Sequence, residues 1–493
     1  MDVILFNPPA QFTQWEGISI FPPLGLLYIG AVLNSEGCGV KVVDCLAHGW
    51  RNPQKTGKGR DACFNIGITD EYLASLIKPL QGGIVGISCL FATSEQSTMN
   101  LSRKVKRIND SVKVVVGGTN ATVRYDHLIK EESIDYIILG EGEYALKDLI
   151  KTIETGASLT ALPGLVYRNN GQVVVNPGVN RVEDLDALPF PDYDLLENSV
   201  EEYFQGNFSG LFLEERILPV CTSRGCVINC VFCVGKNQLG NWRSRKPENV
   251  LQEIELLMAK YGIQEIAFTD SNININKNRF KKILELMDEK KLNISWMPWG
   301  GIFIKTFSTE LVGLMKKTGC HSVYLSVEHG NPEMQKYIGK IVPMEKARTI
   351  IDECREYGIW THGNFVLGLP GETRSTMHEC LDYSIKANFD SVSFHIAIPL
   401  PGSRLYDELK VESTLDGQDL RFKTRKITWA PLSSDELTKE VKRYLVVFVL
   451  HKILSELNPR SIVQRIRSYN KQNFKLFRLN AERSMELFFR LFR

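Results

Sequence analysis

The chain has 493 residues, 43% of them apolar and 24% charged, with a formal net charge of +2. That is enough apolar content for two or three domains with cores of their own, and too little net charge to draw the whole protein to nucleic acid or a membrane. Eleven cysteines without a signal-peptide pattern point to a reducing compartment rather than a disulfide framework, and the densest apolar run, 444–450, is far short of the roughly 18 to 20 residues of a membrane span, so the expected location is the cytoplasm.

From the N-terminus, short β-branched runs at 3–6, 40–43, 84–88, 112–116 and 136–139 alternate with helical stretches at 24–34, 71–80, 95–108 and 144–155. This rhythm predicts a parallel sheet with helices on both faces, a doubly wound, Rossmann-like α/β domain over residues 1–160. Ligands on such a sheet sit at the carboxyl ends of its strands. Those ends carry Asp44 to Gly49, then Ser88-Cys89-Leu90, then Gly117-Gly118-Thr119-Asn120, then Gly140-Glu141-Gly142-Glu143. A single glycine there usually only closes a turn, and no G-x-G-x-x-G follows the first run, so a dinucleotide fingerprint is absent.

Between 161 and 215 the pattern changes. Runs at 164–167 and 172–175 flank Asn169-Asn170-Gly171, a hairpin signal, and 184–192 is too rich in proline for a regular element. This stretch is expected to connect two domains.

Residues 216–410 repeat a strand and then a helix, with strands at 217–220, 265–269, 294–297, 322–327, 361–367 and 391–396 and helices at 247–260, 278–289, 309–317, 344–357 and 373–387. Six such units predict a partial (βα)6 barrel, with reactive groups at the strands' carboxyl ends. After the first strand come Cys226, Cys230 and Cys233, spaced C-x3-C-x2-C behind Thr222-Ser223-Arg224-Gly225. A [4Fe–4S] cluster normally takes four cysteines, so three within eight residues leave one iron for a ligand that is not protein. Later strand ends carry Asp270-Ser271-Asn272, Trp299-Gly300-Gly301, Glu328-His329-Gly330, Gly368 to Glu372, and Ile398 to Gly402. Glu328, an acid ending an apolar strand, is either a hydrogen-bonded cap or a ligand contact. Beyond 411 the chain turns helical, with an apolar face through Val441, Leu445, Phe448 and Ile453, and after Pro459 it is basic and amphipathic. For that tail, packing on the barrel is the plain reading, and contact with a membrane surface stays open beside it.

The cysteine loop, with Phe232 before its last cysteine, resembles the radical S-adenosylmethionine (SAM) superfamily. The S-x-L and G-G elements resemble the cobalamin-binding domain, and Pro22 to Leu26 with the Gly-Glu-Gly-Glu turn resemble its version in front of radical SAM cores. Together they resemble the cobalamin-dependent radical SAM family, class B methyltransferase type. The barrel is similar to the phosphonate C-methylase of fosfomycin biosynthesis at 225–233, 270–274 and 310–330. The resemblance implies cluster ligation by Cys226, Cys230 and Cys233; SAM contacts at Phe232, Asp270, Ser271, Glu328 and Gly368; and cobalamin contacts at Ser88, Leu90, Gly117, Gly118 and Glu141. The D-x-H-x-x-G cobalt motif is not met, since Leu46 stands two residues after Asp44, so a cobalt without a protein nitrogen beneath it is expected.

The implied cofactors are a [4Fe–4S] cluster, SAM and cobalamin, and the implied reaction is methylation of an sp3 carbon after hydrogen abstraction by a 5′-deoxyadenosyl radical. A flavodoxin- or ferredoxin-like reductant and a small substrate are the expected partners, with no nucleic acid. Arg243, Arg245 and Lys246 are candidates to meet an anionic substrate. A cyclase or rearranging enzyme with the same cofactors, and a non-catalytic cobalamin-binding sensor or scaffold, remain as alternatives.

Overall fold

The computed structural model describes residues 1–13, 20–57, 63–204, 212–235, 239–409 and 429–456. It divides into two compact units, one of Met1–Ser209 with Asn237–Arg243, the other of Gly210–Lys236 with Ser244–Val411 and the C-terminal helix. The basic tail after Pro459 lies outside the described residues.

In the first unit, five strands run parallel in the spatial order Gly39–Asp44, Asp2–Asn7, Ile84–Ser88, Lys113–Gly117 and Tyr136–Ile138. Val3 to Phe6 and Val114 to Val116 are buried, the near-continuous apolar runs expected of a sheet covered on both faces. The helices Leu24–Ser35, Asp70–Ile77, Glu95–Ile108 and Glu143–Thr155 alternate with the strands. In strand numbering the order is 2-1-3-4-5, whose switch point lies between Asp2–Asn7 and Ile84–Ser88.

Three features differ from the sequence expectation. The hairpin of Leu165–Asn169 and Gln172–Val175, placed in the connector, extends this sheet antiparallel beside Tyr136–Ile138; its turn residues Asn170 and Gly171 both have positive φ, as a two-residue hairpin requires. After the second strand Cys45–Gly49 forms a short helix that the sequence did not mark, with its N-cap Asp44 accepting through Oδ1 from the Leu46 amide. A small antiparallel sheet of Ala10–Thr13, Cys63–Ile66 and Gln54–Thr56 was not foreseen, because its strands are short and lack an apolar run.

In the second unit, six parallel strands follow chain order: Ile217–Val220, Glu265–Phe268 and Ser295–Pro298 in one sheet, then Ser322–Glu328, Trp360–Leu367 and Ser391–Ile396 in another. The Trp296 to Cys320 and Ile302 to Leu325 bridges join the two sheets. The first three strands are buried at every residue, whereas the last three alternate. On their outer face Phe365 meets Tyr383, Phe389 and Phe394, and Phe394 meets Tyr444 of the helix Ser434–Glu456. That helix buries Leu437, Tyr444 and Phe448, while Ile453, expected on the same stripe, is 51% exposed. Among the described residues no helix is long and apolar enough to cross a membrane.

Candidate functional site

The cysteine loop leaves the first barrel strand and is tied down before it reaches its first thiol. Asp270, 1% exposed at the end of the second strand, accepts from the Thr222 amide at 3.1 Å, from Thr222 Oγ1 at 2.7 Å and from Ser223 Oγ. Both carboxylate oxygens thereby accept from the loop's lead-in, so Asp270, named above for SAM, braces the loop. Arg279 donates to the Thr222 and Arg245 carbonyls at 2.7 Å each. Beyond Cys230, Val231 is buried among Met334, Ile338, Leu369 and Leu405, with Phe232 half-buried against them. The Val231 amide donates to Ile338 O, and the Leu405 amide to Val231 O, both at 2.8 Å.

Cys226 is half-buried, Cys230 buried and Cys233 exposed. Burial pushes the Cys230 thiol up to about 12; Lys340 opposes this, and Glu328, Cys233 and Cys226 add to it. Cys233 is also raised, first by the protein crowded around it although its surface reaches solvent, then by Cys226, with the Gly235 amide opposing. The three thiols thus lie within one another's field. Among the described residues no group of three or more His, Cys, Asp or Glu is arranged to hold a metal ion; the ligands of an iron–sulfur cluster bind separate irons and need not converge on one point.

Glu328 ends the fourth strand at a register shift and holds φ +68°, a left-handed value uncommon for a side chain of this kind. Bulges re-aim side chains, and here the carboxylate meets Lys340 Nζ at 2.8 Å. The following residue, His329, is fully buried; its Nδ1 accepts from the Asn331 amide at 2.9 Å, so Nε2 carries the proton and donates to Glu372 Oε1 at 2.8 Å. Glu372 Oε2 accepts from the Gly368 and Leu369 amides at 2.5 and 2.8 Å. Gly368, expected near SAM, has φ +82°, and a Cβ there would lie 3.0 Å from Leu437. Ser271 is half-buried beside Asn272, whose amide nitrogen stands 4.0 Å from Cys226 Sγ.

The inner face of the last three strands was missed in the sequence. It carries Tyr324, Ser326, His362, Asn364, Ser391, Ser393 and His395, all at least partly open to solvent. Trp360 Nε1 donates to Ser391 Oγ at 2.9 Å, His362 Nδ1 lies 2.8 Å from Ser391 Oγ, and His362 Nε2 lies 3.0 Å from Ser393 Oγ. Burial, then repulsion from His395, pushes the His362 imidazole down to about 4, with Asn364 opposing. His395 is also lowered by burial, with Glu328 opposing, which places it near that carboxylate. The signal was present as the period-2 pattern His-Gly-Asn and Ser-Val-Ser-Phe-His on two successive strands.

Two cations proposed for an anionic substrate are engaged elsewhere, a correction to that expectation. Arg243 pairs with both oxygens of Glu141 at 2.9 and 2.8 Å and donates to the Val182 and Leu239 carbonyls. Arg245, 4% exposed, pairs with Glu253 and donates to Asn249 Oδ1 and Cys221 O.

In the first unit, Ser88 is half-buried and Leu90 45% exposed at the switch point. A Cβ on Gly117 would meet only Ile138 O at 4.0 Å, so the space above it is open. Gly118, with φ +112°, would place a Cβ 2.7 Å from Cys89 O; it is glycine because the neighbouring loop lies against it. Glu141, bound to Arg243, also accepts from the Val182 amide at 2.6 Å. The open surfaces at Ser88, Leu90 and Gly117 fit a ligand that reaches into the strand ends, while Gly118 and Glu141 hold the loops. His48 lies on the short helix after the edge strand, 4.9 Å from Tyr72 between ring centres.

A family model of the radical SAM superfamily matches residues 220–384, and one of the B12 binding domain matches residues 19–150. A protein of Pyrococcus horikoshii named as an uncharacterized methyltransferase is 30% identical over 91% of this chain and 93% of its own. The cytidylyl-2-hydroxyethylphosphonate methyltransferase of Streptomyces wedmorensis is 26% identical over 85% and 84% of the two chains. The anaerobic magnesium-protoporphyrin IX monomethyl ester cyclase of Rubrivivax gelatinosus is 26% identical over 84% and 71%. Among solved structures, the radical SAM methyltransferase TsrM from Kitasatospora setae matches 83% of this chain and 75% of its own with a TM-score of 0.66 at 21% identity. The cobalamin-dependent radical SAM enzyme OxsB matches 90% and 61% with a TM-score of 0.62 at 19% identity; both show a shared fold. The chain belongs to the cobalamin-dependent radical SAM methyltransferase family, and its cofactors are a [4Fe–4S] cluster, SAM and cobalamin.

Proposed function

We propose that the protein adds a methyl group to an sp3 carbon of a small molecule, with Cys226, Cys230 and Cys233 as the protein ligands of the cluster. The observation that carries this reading is the three-cysteine loop at the carboxyl end of the first of six parallel strands, in one chain with a sheet that the B12 binding domain model matches. Relatives named as methyltransferases support methyl transfer over other outcomes. When bound, the cofactors supply a one-electron route to a radical that removes hydrogen from an unactivated carbon, and a methyl group to replace it.

The chain's own part is binding and orientation. Three thiolates hold three irons and leave the fourth for SAM. Asp270 and Arg279 keep the loop in place. Glu328, aimed by its bulge and paired with Lys340, holds SAM together with Phe232, Ser271 and Gly368. The wall of Tyr324, His362, Asn364, Ser393 and His395 orients the substrate through neutral hydrogen bonds. Ser88, Leu90 and Gly117 face cobalamin. An external one-electron donor of the flavodoxin or ferredoxin type reduces the cluster.

The test is anaerobic reconstitution with iron, sulfide, hydroxocobalamin and SAM bearing a deuterated methyl group, followed by reduction in the presence of a cell metabolite extract. Deoxyadenosine and S-adenosylhomocysteine in equal amounts, with one deuteromethylated product, are expected. Deoxyadenosine without matching S-adenosylhomocysteine supports the second reading, a cyclase, which the Rubrivivax relative favours. Neither deoxyadenosine nor a bound-corrin spectrum would sink both.

A further inference from the structure

The cation of the buried pair Lys340–Glu328 is held by more than its partner. Lys340 follows the helix Pro332–Ile338, and its amide donates to Gln335 O at 3.1 Å. The Gln335 side chain, buried, accepts from the Val342 amide through Oε1 at 2.9 Å and donates through Nε2 to His329 O at 2.7 Å. The segment carrying Lys340 is thereby fixed to the strand end carrying Glu328 by ties that involve neither charge. The same segment lies on the cysteine loop. The Val231 amide donates to Ile338 O at 2.8 Å, and a Cβ on Gly339, which holds φ +83°, would crowd Asn229 O. Cys230 stands between those two contacts, so the Lys340 side chain leaves a backbone that touches the loop on either side of one cluster cysteine.

A buried ion pair adds little net stability over apolar side chains of the same size, so stability does not account for a lysine at this place. Charge does. Three thiolates on an oxidised [4Fe–4S] core leave the whole negative, and the one electron that enters from the external donor adds to that charge without making or breaking a bond. A cation close by favours the form that holds the extra electron, and in a buried setting solvent and salt screen it weakly. Glu328 opposes it. At Cys230 the field of Lys340 outweighs that of Glu328, whereas at Cys233 the order is reversed, so the loop feels two separate charges of opposite sign rather than a cancelled pair.

We infer that Lys340 sets how readily the cluster accepts its electron, its ammonium group favouring the reduced state from the Cys230 side, and that Glu328 limits the effect. This rests on Cys226, Cys230 and Cys233 being the cluster ligands. Full-length protein is reconstituted anaerobically with iron and sulfide, without SAM or cobalamin, and titrated against redox mediators. The reduced fraction is read from the electron paramagnetic resonance signal of the one-electron-reduced cluster, with iron content and circular dichroism recorded for each variant. Lys340→Met disfavours reduction by about tenfold, a shift of about 59 mV to more negative potential, while Lys340→Arg, which keeps the charge, stays within about threefold of wild type. Glu328→Gln shifts the potential the other way, and Glu328→Gln with Lys340→Met falls between the two single variants. If Lys340→Met assembles no cluster, the sign of the Glu328→Gln shift decides the matter. An unchanged potential in Lys340→Met, an equal shift in Lys340→Arg, or an absent or negative shift in Glu328→Gln overturns the inference while leaving the cluster site standing. A wild type that assembles no cluster overturns that site and this inference with it.

Discussion

Lys340 Nζ stands 2.8 Å from Glu328 Oε1, and the two residues are 6% and 8% exposed. Glu328 holds its left-handed backbone at a strand end, a conformation that costs about 1–3 kcal/mol and persists only where surrounding structure enforces it. Lys340 follows Gly339, which ends the helix Pro332–Ile338 with φ +83°; a Cβ on Gly339 would lie 3.0 Å from Asn229 O. The ion pair, the strained strand end and the cysteine loop are thus packed as one piece.

Glu328→Gln keeps the shape and removes the charge. SAM affinity of the reconstituted protein, read by calorimetric titration, is expected to fall by about tenfold. Breaking a buried pair also strands its partner at about 3–5 kcal/mol, so Glu328→Gln with Lys340→Met is expected to regain thermal stability without regaining affinity. Unchanged affinity would remove Glu328 from the SAM site.

Asp270→Asn separates a brace from a direct contact. With its ties to Thr222 and Ser223 weakened, the loop is expected to retain less iron per chain after gel filtration. The fraction that keeps a full cluster is expected to bind SAM as wild type does. Normal iron content with lost SAM binding would restore Asp270 to a ligand contact.

His362 makes stability depend on pH. Its folded value of about 4 lies below the roughly 6.5 of an unfolded histidine, so between those values the unfolded chain binds more protons. The stabilisation is complete above about pH 6.5 and is lost as pH falls toward 4. Between pH 7.5 and 5 the loss from this residue amounts to about 2 kcal/mol. Urea unfolding of wild type and His362→Asn at both pH values checks this: the variant should show a smaller pH difference, and equal differences refute it.

Glu372→Gln tests the link from His329 to the Gly368 turn. Replacing one carboxylate oxygen by an NH2 group sets a donor against a donor, either His329 Nε2 or the Gly368 and Leu369 amides. The expected cost is about 1–3 kcal/mol, seen as a drop of several degrees in the melting temperature of the second unit. A melting curve that superimposes on wild type would show the link to be idle.

The sequence carried the strand and helix rhythm of both units, because buried parallel strands must be runs of Val, Ile, Leu and Phe, as at 3–6 and 114–116, and these are visible without neighbours. The cysteine triple was equally legible, since its three cysteines lie within one loop. The hairpin at 165–175 was seen as a hairpin but not as part of the sheet, because its partner strand, Tyr136–Ile138, is chosen by packing. Asp270, Arg243 and Arg245 show the opposite limit. Each was singled out as a charged residue at a strand end or loop, and each proved to be engaged by groups that chain order does not reveal.

By itself, then, the sequence determined local periodicity, the order of strand ends and one contiguous cysteine motif, all properties of residues within a few positions of one another. Only the tertiary structure decided which charges are spent and which surfaces are open. Glu328 meets Lys340, His329 meets Glu372, and His362 meets Ser391 and Ser393 across separations from 12 to 43 residues. Such pairings depend on which strand lies beside which and on the burial that follows, and a buried charge or imidazole takes its state from those neighbours.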